Sequence, residues 1–293
     1  MNIIRKVAVI GGDKRSLYCA EAFAASGFEC AVFGFEKEPL HFAVRAASLE
    51  DALRDSTAVI LPLPITDVKN GNLFAPHSDQ AVSLAQLCGQ IPRDAVVLAG
   101  NPTEAEQKAL AGYTVENYAK NEYFMLRGRV PTAEGALQIA MEQTDETIFG
   151  SKALVCGGGR IGRYLAAMLS ALGADVTVSV RKKEDGILLR QHGFSVIHTN
   201  EIADCPTAFD LIFNTIPSRI LEKRVLKKLR GSPLIIELAS KPYGAGFTVR
   251  KKDENFSFRV RLTFSLRLAI IKAYPAVIGS ISKGEYIHER IDF

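Results

Sequence analysis

The chain has 293 residues, of which 47% are hydrophobic and 23% charged, and its formal net charge is +4. This length and composition suit a globular protein of two domains. Because the net charge is small and no Lys/Arg run is long, nucleic-acid binding is not expected. No apolar run approaches the roughly 20 residues of a membrane span, and no secretory apolar region precedes the first predicted strand, so we expect a cytoplasmic protein.

Four continuous apolar runs in the first half are typical of parallel strands buried on both faces. They lie at residues 6–13, 30–35, 57–61 and 95–99. A helix pattern after the first run places Leu17, Ala20 and Phe23 on one face and ends near Gly27. This alternation predicts a doubly wound sheet.

Two loops follow strands of this sheet at their carboxyl ends, the edge at which open α/β sheets bind ligands. Gly11-Gly12-Asp13, with Lys14 and Arg15 after it, lacks the third glycine of a dinucleotide fingerprint. It therefore fits the wall of a substrate cleft or a solvated turn equally well. Residues 61–66 contain two prolines and predict a stiff loop.

Residues 131–141 predict a helix with Thr132 as its N-cap. We expect this helix to connect two domains and to line a cleft between them. Gly135 in its first turn is explained either by close approach of a ligand or by helix packing. The predicted limits are an N-terminal domain over 1–130, the interdomain helix over 131–150, a nucleotide-binding domain over 151–265, and a C-terminal helix and tail over 266–293.

A dinucleotide-binding pattern lies between an apolar strand at residues 153–156 and a second strand at 175–181. Gly157, Gly159 and Gly162 stand where this fingerprint needs a tight turn, a close approach to the pyrophosphate, and tight packing of helix on strand. The N-terminus of the following helix attracts phosphate. The alternative is a glycine-rich turn that binds nothing.

Further strands are predicted at 194–197, 209–214 and 234–240, with a helix over 221–229, which completes a second doubly wound sheet. The fold class is therefore α/β, with two Rossmann-like domains, parallel sheets and a cleft between them. An NAD site places an acid at the end of its second strand, but Arg181 and Lys182 stand there. A cation there favours the 2′-phosphate of NADP over NAD, and a solvated basic turn is the alternative.

The residues expected to bind the cofactor lie at the carboxyl ends of the second sheet. They are Gly157, Gly158, Gly159, Arg160, Ile161, Gly162, Arg181, Lys182, Asn214, Thr215, Ile216, Pro217 and Ala239. The cysteines and histidines are scattered, without the spacing of a metal site or a disulfide framework, so no bound metal is expected. No catalytic triad or Walker-type loop is present, and the spacing alone identifies no general acid or base.

From about Val7 to Phe247 the sequence resembles the dipicolinate synthase A subunits, sporulation proteins of bacteria that make pyridine-2,6-dicarboxylate. The segments that carry the resemblance are 9–13 with Arg15, 60–62, Pro-Thr-Ala-Glu-Gly at 131–135, the glycine turn at 157–162, Asn-Thr-Ile-Pro-Ser at 214–218, and 238–242. Many dehydrogenases share the glycine turn, whereas the segments at 131–135 and 214–218 are far more specific.

This resemblance implies an NADP-dependent oxidoreductase acting on a CH–CH donor, namely dihydrodipicolinate or its hydroxylated tetrahydro precursor. It also implies a partner, a flavoprotein-like B subunit, together with an oligomeric assembly and a place in the mother-cell cytoplasm. A small dicarboxylate substrate needs cations or N–H donors. The substrate candidates are Asp13, Arg15, Thr132 and Ser240, and the catalytic candidates are Glu134, as a proton acceptor, and Lys241.

The sequence departs from the family pattern in two places. Gly128 stands where the family usually has Asn. Residues 249–268 lack the apolar strand and the Leu-Pro-Gly-type loop of the family, and alternation over 256–264 predicts a half-exposed antiparallel strand. A local reading-frame slip and true divergence both explain this stretch.

Two alternatives to a dipicolinate synthase of this kind remain. One is another two-domain NADP-dependent dehydrogenase, of the shikimate dehydrogenase kind, although the Lys–Asp pair usual in that class is not evident. The other is a nucleotide-binding subunit without turnover, which the altered residues 249–268 keep open.

Overall fold

The computed structural model describes residues 4–67 and 70–239, and the backbone of residues 260–262. The described residues fall into two compact units, which meet in the sequence at Gly128 and Arg129. Each unit contains one six-stranded sheet in which every strand pair is parallel.

The sheet of the first unit has the strand order β3-β2-β1-β4-β5-β6. Its strands are β1 (Lys6–Ile10), β2 (Glu29–Phe33), β3 (Val44–Arg45), β4 (Ala58–Ile60), β5 (Val96–Ala99) and β6 (Thr114–Asn117). Its helices are α1 (Lys14–Ala25), α2 (Leu49–Leu53), α3 (Leu84–Cys88) and α4 (Glu104–Ala109), with a 3₁₀ turn at Tyr118–Lys120. In β1, Val7 and Val9 belong to one core, and Ala8 and Ile10 belong to the other. Successive side chains of a strand point to opposite faces, so the unbroken apolar run of β1 fills both cores.

The sheet of the second unit has the order β12-β11-β10-β7-β8-β9. Its strands are β7 (Lys152–Cys156), β8 (Asp175–Val180), β9 (Ser195–His198), β10 (Leu211–Asn214), β11 (Leu234–Glu237) and β12 (Val260–Leu262). Its helices are α6 (Arg160–Ala171), α7 (Lys183–Gln191) and α8 (Lys223–Leu226), with a 3₁₀ turn at Thr199–Asp204. The predicted α/β fold with two doubly wound parallel sheets is confirmed.

Both sheets reverse their strand order beside their first strand, between β1 and β4 and between β7 and β10. The loops that leave two such neighbouring strands diverge, and this opens a crevice at the carboxyl edge where ligands of open α/β sheets bind. The Gly11-Gly12 turn and the loop after Ile60 lie at the first switch point. The glycine turn at 157–162 and the loop after Asn214 lie at the second.

Helix α5 (Glu122–Gln143) begins nine residues before the predicted start, and Pro131 lies in its interior. The prediction of Thr132 as an N-cap is therefore wrong. Proline commonly marks the first turn of a helix because it lacks an N–H, but here the helix continues through it. The helix also runs through the division at Gly128 and Arg129. The four predicted domain limits stay predictions.

Other differences concern short or polar elements. Strands β3 and β6 were not predicted, because one has only two exposed residues and the other reads Thr-Val-Glu-Asn, without an apolar run. Helix α8 covers only four of the nine residues predicted as helical. Strand β12 pairs with β11 in parallel, so the prediction of an antiparallel strand there is wrong. Alternation marks a strand with one exposed face, and an edge strand of a parallel sheet fits that pattern too. The predicted C-terminal helix lies outside the described residues.

Candidate functional site

The glycine turn leaves the carboxyl end of β7 with Gly157 in a left-handed conformation, at φ +103°. The Gly157 N–H donates to the carbonyl oxygen of Ser179 on β8 at 3.0 Å. A Cβ at this position would lie 2.6 Å from Thr215 Oγ1 and 2.9 Å from Ile216 Cγ1. Both the backbone angle and the neighbouring loop therefore require glycine.

Gly162 provides the close packing of α6 on the turn. It is buried, and a Cβ there would lie 1.9 Å from the carbonyl oxygen of Gly157. Gly158 faces the next strand, because its Cβ would lie 2.8 Å from Val180 Cγ1. These contacts give two of the three glycines of the fingerprint the roles that the sequence predicts.

Gly159 has a different environment. It is exposed and is the N-cap of α6, with no side-chain cap hydrogen bond. Apart from its two chain neighbours, no described residue has an atom within 4 Å of the place where its Cβ would be. The space beside it is therefore open at the N-terminus of a 12-residue helix, where the helix dipole and the first-turn N–H groups favour an anion. This arrangement fits a dinucleotide pyrophosphate. Arg160 is exposed and Ile161 half-buried in the same turn.

Arg163 stabilises the turn, although no sequence pattern selected it. Its Nε donates to the carbonyl oxygen of Gly158 at 2.6 Å, and its Nη2 forms an ion pair with Asp185 at 2.6 Å. A cation near a helix N-terminus is electrostatically unfavourable, and Asp185 offsets this cost. The only sequence signal for this role was a cationic residue in the first turn of the helix that follows the glycine turn.

The Asn214–Ile216 loop lies against the glycine turn, as the sequence predicted. Asn214 is fully buried; its Nδ2 donates to the Ile216 carbonyl oxygen at 3.1 Å, and its Oδ1 accepts from the Ile216 N–H at 3.2 Å. The N–H and Oγ1 of Thr215 both donate to the Cys156 carbonyl oxygen, at 3.0 and 2.8 Å. Pro217 is exposed beyond this loop.

Glu237 is a buried carboxylate at the end of β11 that sequence reasoning missed. It is 2% exposed, and its Oε1 accepts from Asn214 Nδ2 at 2.7 Å and from the Ala239 N–H at 3.0 Å. It thus links two of the predicted cofactor segments. The acid that ends the apolar run Leu-Ile-Ile-Glu was the signal for it.

Cys156 lies beneath the glycine turn as a neutral group. Burial raises the pKa of its thiol to about 12; a hydrogen bond with Ser179 acts in the opposite direction, and the charge of Glu237 adds to the rise. A thiol with this pKa stays protonated at neutral pH, so it is not a nucleophile here.

Arg181 and Lys182 lie at the carboxyl end of β8, next to the strand that carries the glycine turn. Both are exposed, and Lys182 is the N-cap of α7. No ion pair or side-chain hydrogen bond engages the Arg181 guanidinium within the described part of the chain. Its position and freedom fit a 2′-phosphate contact, and whether it makes one stays a prediction.

In the first unit, Asp13 and Arg15 are bound to each other. Asp13 is the N-cap of α1 and accepts from the Arg15 N–H at 2.9 Å and from Arg15 Nε at 2.8 Å. Arg15 Nη2 donates to the Leu63 carbonyl oxygen at 2.8 Å. The ion pair thus ties the Gly11-Gly12 turn to the loop after β4, and Asp13 balances part of the Arg15 charge.

Two further candidates, Thr132 and Glu134, lie on α5. Thr132 is half-buried within α5, and Glu134, two residues later, is exposed. Glu134 lines an apolar groove of about 680 Å³ with Leu137, Met141 and Met168. Ser240 and Lys241 lie outside the described residues.

Neither a metal centre nor a membrane span is present among the described residues. They contain no group of three or more His, Cys, Asp or Glu side chains able to hold a metal ion. None of the described helices is both long and apolar enough to cross a membrane.

Comparison with known proteins places the chain in a family. It is 31% identical over 253 residues to the dipicolinate synthase A subunit of Bacillus subtilis, and the match covers 85% of each chain. The chain belongs to the family of dipicolinate synthase A subunits. Residues 6–119 also match the model of the N-terminal domain of this family.

Solved structures share the fold of this chain. The dipicolinate synthase A chain of B. subtilis superposes with a TM-score of 0.76 at 27% identity, over 97% of this chain and 96% of that one. The dipicolinate synthase A subunit of Bacillus halodurans gives 0.77 at 23% identity, over 94% and 97%. A transhydrogenase of Sinorhizobium meliloti gives 0.66 at 14% identity, over 95% and 93%, and shares the fold.

Proposed function

We propose that this protein is an NADP-dependent dehydrogenase that oxidises dihydrodipicolinate, or its hydroxylated tetrahydro precursor, to pyridine-2,6-dicarboxylate. It would act with a flavoprotein-like B subunit in the mother cell of a sporulating bacterium. The observation that carries the proposal is the open space beside Gly159 at the N-terminus of α6, at a sheet switch point, in a member of the dipicolinate synthase A family.

The turn at 157–162 would hold the pyrophosphate through backbone N–H groups, and Arg181 would hold the 2′-phosphate. Thr215 and Ile216 contact the turn from the loop after β10 and keep it in shape. Bound nicotinamide supplies the acceptor for the hydride that leaves the substrate. The chain's own contribution is to place substrate and cofactor in the reacting geometry, since aromatisation makes the step favourable.

Oxidation of the dihydro compound removes a hydride and a proton, and the hydroxylated precursor must lose water as well. A nearby base would assist the loss of the proton. Glu134 and Lys241 are the proposed candidates for that role. The two carboxylates of the substrate would be bound by Arg15, held in position by Asp13, together with Thr132 and Ser240.

Reconstitution tests the reaction. The full chain is incubated with the B subunit, substrate and NADP, and pyridine-2,6-dicarboxylate is measured by chromatography. We expect product only when both subunits are present. NADP binding without product in the complete mixture would contradict the catalytic assignment and favour a nucleotide-binding subunit without turnover.

The 2′-phosphate contact is tested with Arg181→Asp. We expect the variant to lose about 1–3 kcal/mol of NADP binding, the scale of a charge-assisted hydrogen bond, while its affinity for NAD changes little. Lys183→Gln, two residues away and also exposed, is the matched control. Equal losses for NADP and NAD would show that Arg181 does not read the 2′-phosphate.

The pyrophosphate position is tested with Gly159→Ser. Serine is at least as good an N-cap as glycine, and its Cβ meets no atom of the described residues, so the thermal midpoint should hold. NADP affinity should fall at least tenfold, because the side chain fills the space that the phosphates need. Unchanged affinity would place the nucleotide elsewhere.

A further inference from the structure

Arg129 lies on the same face of α5 as the residues that this helix contributes to the core of the second unit, one turn before the first of them. Ala133, Ala136 and Ala140 on that helix are fully buried and share a core with Leu165 of α6. Arg129 precedes Ala133 by four residues, which places it on the same face one turn earlier. Helix geometry thus directs a cation toward α6.

The Arg129 guanidinium stacks on an aromatic ring near the start of α6. Its Cζ lies 5.1 Å from the centre of the Tyr164 ring. Tyr164 follows Arg160, the first residue of α6, by one helical turn. Gly159, which precedes Arg160, is the N-cap residue and makes no side-chain cap hydrogen bond. Stacking uses the flat face of the guanidinium and leaves its in-plane N–H groups for acceptors.

Those N–H groups have no acceptor in the described part of the chain. Arg129 Nε is buried without a hydrogen-bond partner, and no described carboxylate pairs with the side chain. A buried, unsatisfied donor on a charged group is costly. Arg163, at the same helix end, is instead satisfied by Asp185 and by the Gly158 carbonyl.

We propose that Arg129 is an oxyanion-binding residue of the site at the N-terminal end of α6. The oxyanion supplies the missing counter-charge and accepts hydrogen bonds in the forked geometry that a guanidinium favours. Its source is either a carboxylate of the substrate or a phosphate of the dinucleotide; this choice rests on the proposed function.

The test uses the full-length chain as wild type, Arg129→Ala, Arg129→Met and Arg127→Ala. Arg129→Met keeps most of the side-chain volume without the charge, in case the alanine variant loses its fold. Arg127 is the matched control: it stacks on Tyr123 at 5.2 Å and donates from Nε to the Tyr123 hydroxyl at 3.1 Å, on an exposed part of the same helix. Calorimetric titrations use NADP, pyridine-2,6-dicarboxylate with NADP present, and inorganic pyrophosphate.

We expect both Arg129 variants to lose tenfold or more in affinity for at least one probe, while Arg127→Ala binds like wild type. A loss for NADP and pyrophosphate identifies a phosphate, and a loss confined to the dicarboxylate identifies a substrate carboxylate. Wild-type affinity of a folded Arg129 variant for all three probes overturns the inference.

Failure of the proposed function has a different signature. Pyrophosphate binding that depends on Arg129, in a protein that binds neither NADP nor the dicarboxylate, supports the oxyanion site and overturns the proposed function. A wild-type chain that binds none of the probes overturns both.

A second pair of variants isolates the stacking. Tyr164→Phe keeps the ring and should bind as wild type does, whereas Tyr164→Leu should weaken the same probe as the Arg129 variants. Equal affinities of the two Tyr164 variants would show that the ring does not hold the guanidinium in its binding position.

Discussion

The glycines of the α6 turn meet three different physical demands. Gly157 has a positive φ, Gly162 is in tight contact with the backbone of the turn, and Gly159 faces open space. Only the first two are explained by the folded chain itself. The proposed function assigns the third, the open space beside Gly159, to a bound pyrophosphate.

Gly162→Ala should destabilise the protein by about 1–3 kcal/mol, the usual cost of overpacking. Its Cβ would lie 1.9 Å from a backbone oxygen that side-chain rotation cannot move. Gly128→Ala is the control, because it is also helical, has no positive φ, and has no described atom within 4 Å of its Cβ. That variant should gain about 0.5–1 kcal/mol. Chemical denaturation measures both, and a Gly162→Ala midpoint at or above wild type would refute the contact.

The five cysteines should differ in reactivity according to burial. Burial is the main cause of a raised pKa at three of them. It raises the pKa of Cys19 well above its usual value, and it raises the pKa of Cys30 and of Cys156 to about 12, so these thiols stay protonated at pH 8. Cys88 and Cys205 are only half-buried. Because the thiolate is the nucleophile, we expect at most two thiols to react with a disulfide reagent before unfolding and five after it. Peptide mapping that finds Cys156 among the fast thiols would contradict the buried turn.

The last residues of strands β10 and β11 hold the loop that lies against the glycine turn. Their last residues, Asn214 and Glu237, are paired in register and joined by a 2.7 Å hydrogen bond. Asn214 in turn fixes Ile216, which contacts the glycine turn. The buried carboxylate therefore supports the glycine turn through Asn214 and the Ile216 loop.

Glu237→Ala should cost about 1–3 kcal/mol of unfolding free energy, since it leaves the buried amide of Asn214 and the half-buried N–H of Ala239 without this acceptor. Nucleotide affinity should fall with it as the loop loosens. Glu237→Gln keeps a carbonyl oxygen that can accept, so its losses should be smaller. Denaturation and NADP titration of both variants measure this. If alanine and glutamine behave alike, the carboxylate oxygen does not position the loop.

Most strands that sequence patterns located are buried on both faces; β9, a half-buried edge strand, is the exception. An apolar run such as that of β1 or β10 can be satisfied only inside a covered parallel sheet. Strands β3 and β6 were not predicted, and β12 was predicted with the wrong direction. A strand at the edge of a sheet is specified by pairing with its neighbour more than by its own composition. The start of α5 escaped for a related reason, since packing overrode the proline signal at Pro131.

The molecule has separate cores for its two units. The two main clusters of the first unit contain Phe23 and Phe33, and those of the second contain Phe213 and Phe209. No described residue of one unit belongs to a core cluster of the other. The stabilities of the two units should therefore be separable.

Calorimetry of Phe23→Ala and Phe213→Ala tests this separation. Each side chain is fully buried, and each truncation should cost about 3–5 kcal/mol in its own unit. We expect each variant to lower a different unfolding transition, and NADP to raise only the one that Phe213→Ala lowers, since a ligand stabilises the unit that binds it. One transition that shifts equally in both variants would show that the units unfold together.

Apolar runs, glycine spacing and short motifs were enough to predict the two parallel sheets, the glycine turn and the family, because each of these depends on the local order of residues. Family membership was confirmed by the comparison with known relatives. The tertiary structure alone decided that Glu237 joins Asn214, that Arg163 stabilises the turn, and that Arg129 stacks on Tyr164. Asn214 and Glu237 are 23 residues apart, and Arg129 and Tyr164 are 35 residues apart. Arg163 is five residues from Gly158, but its ion-pair partner Asp185 lies on another helix. No spacing rule in the sequence connects these residues. Which partner each of these charged side chains contacts depends on how helices and strands pack together, and that is a property of the three-dimensional structure.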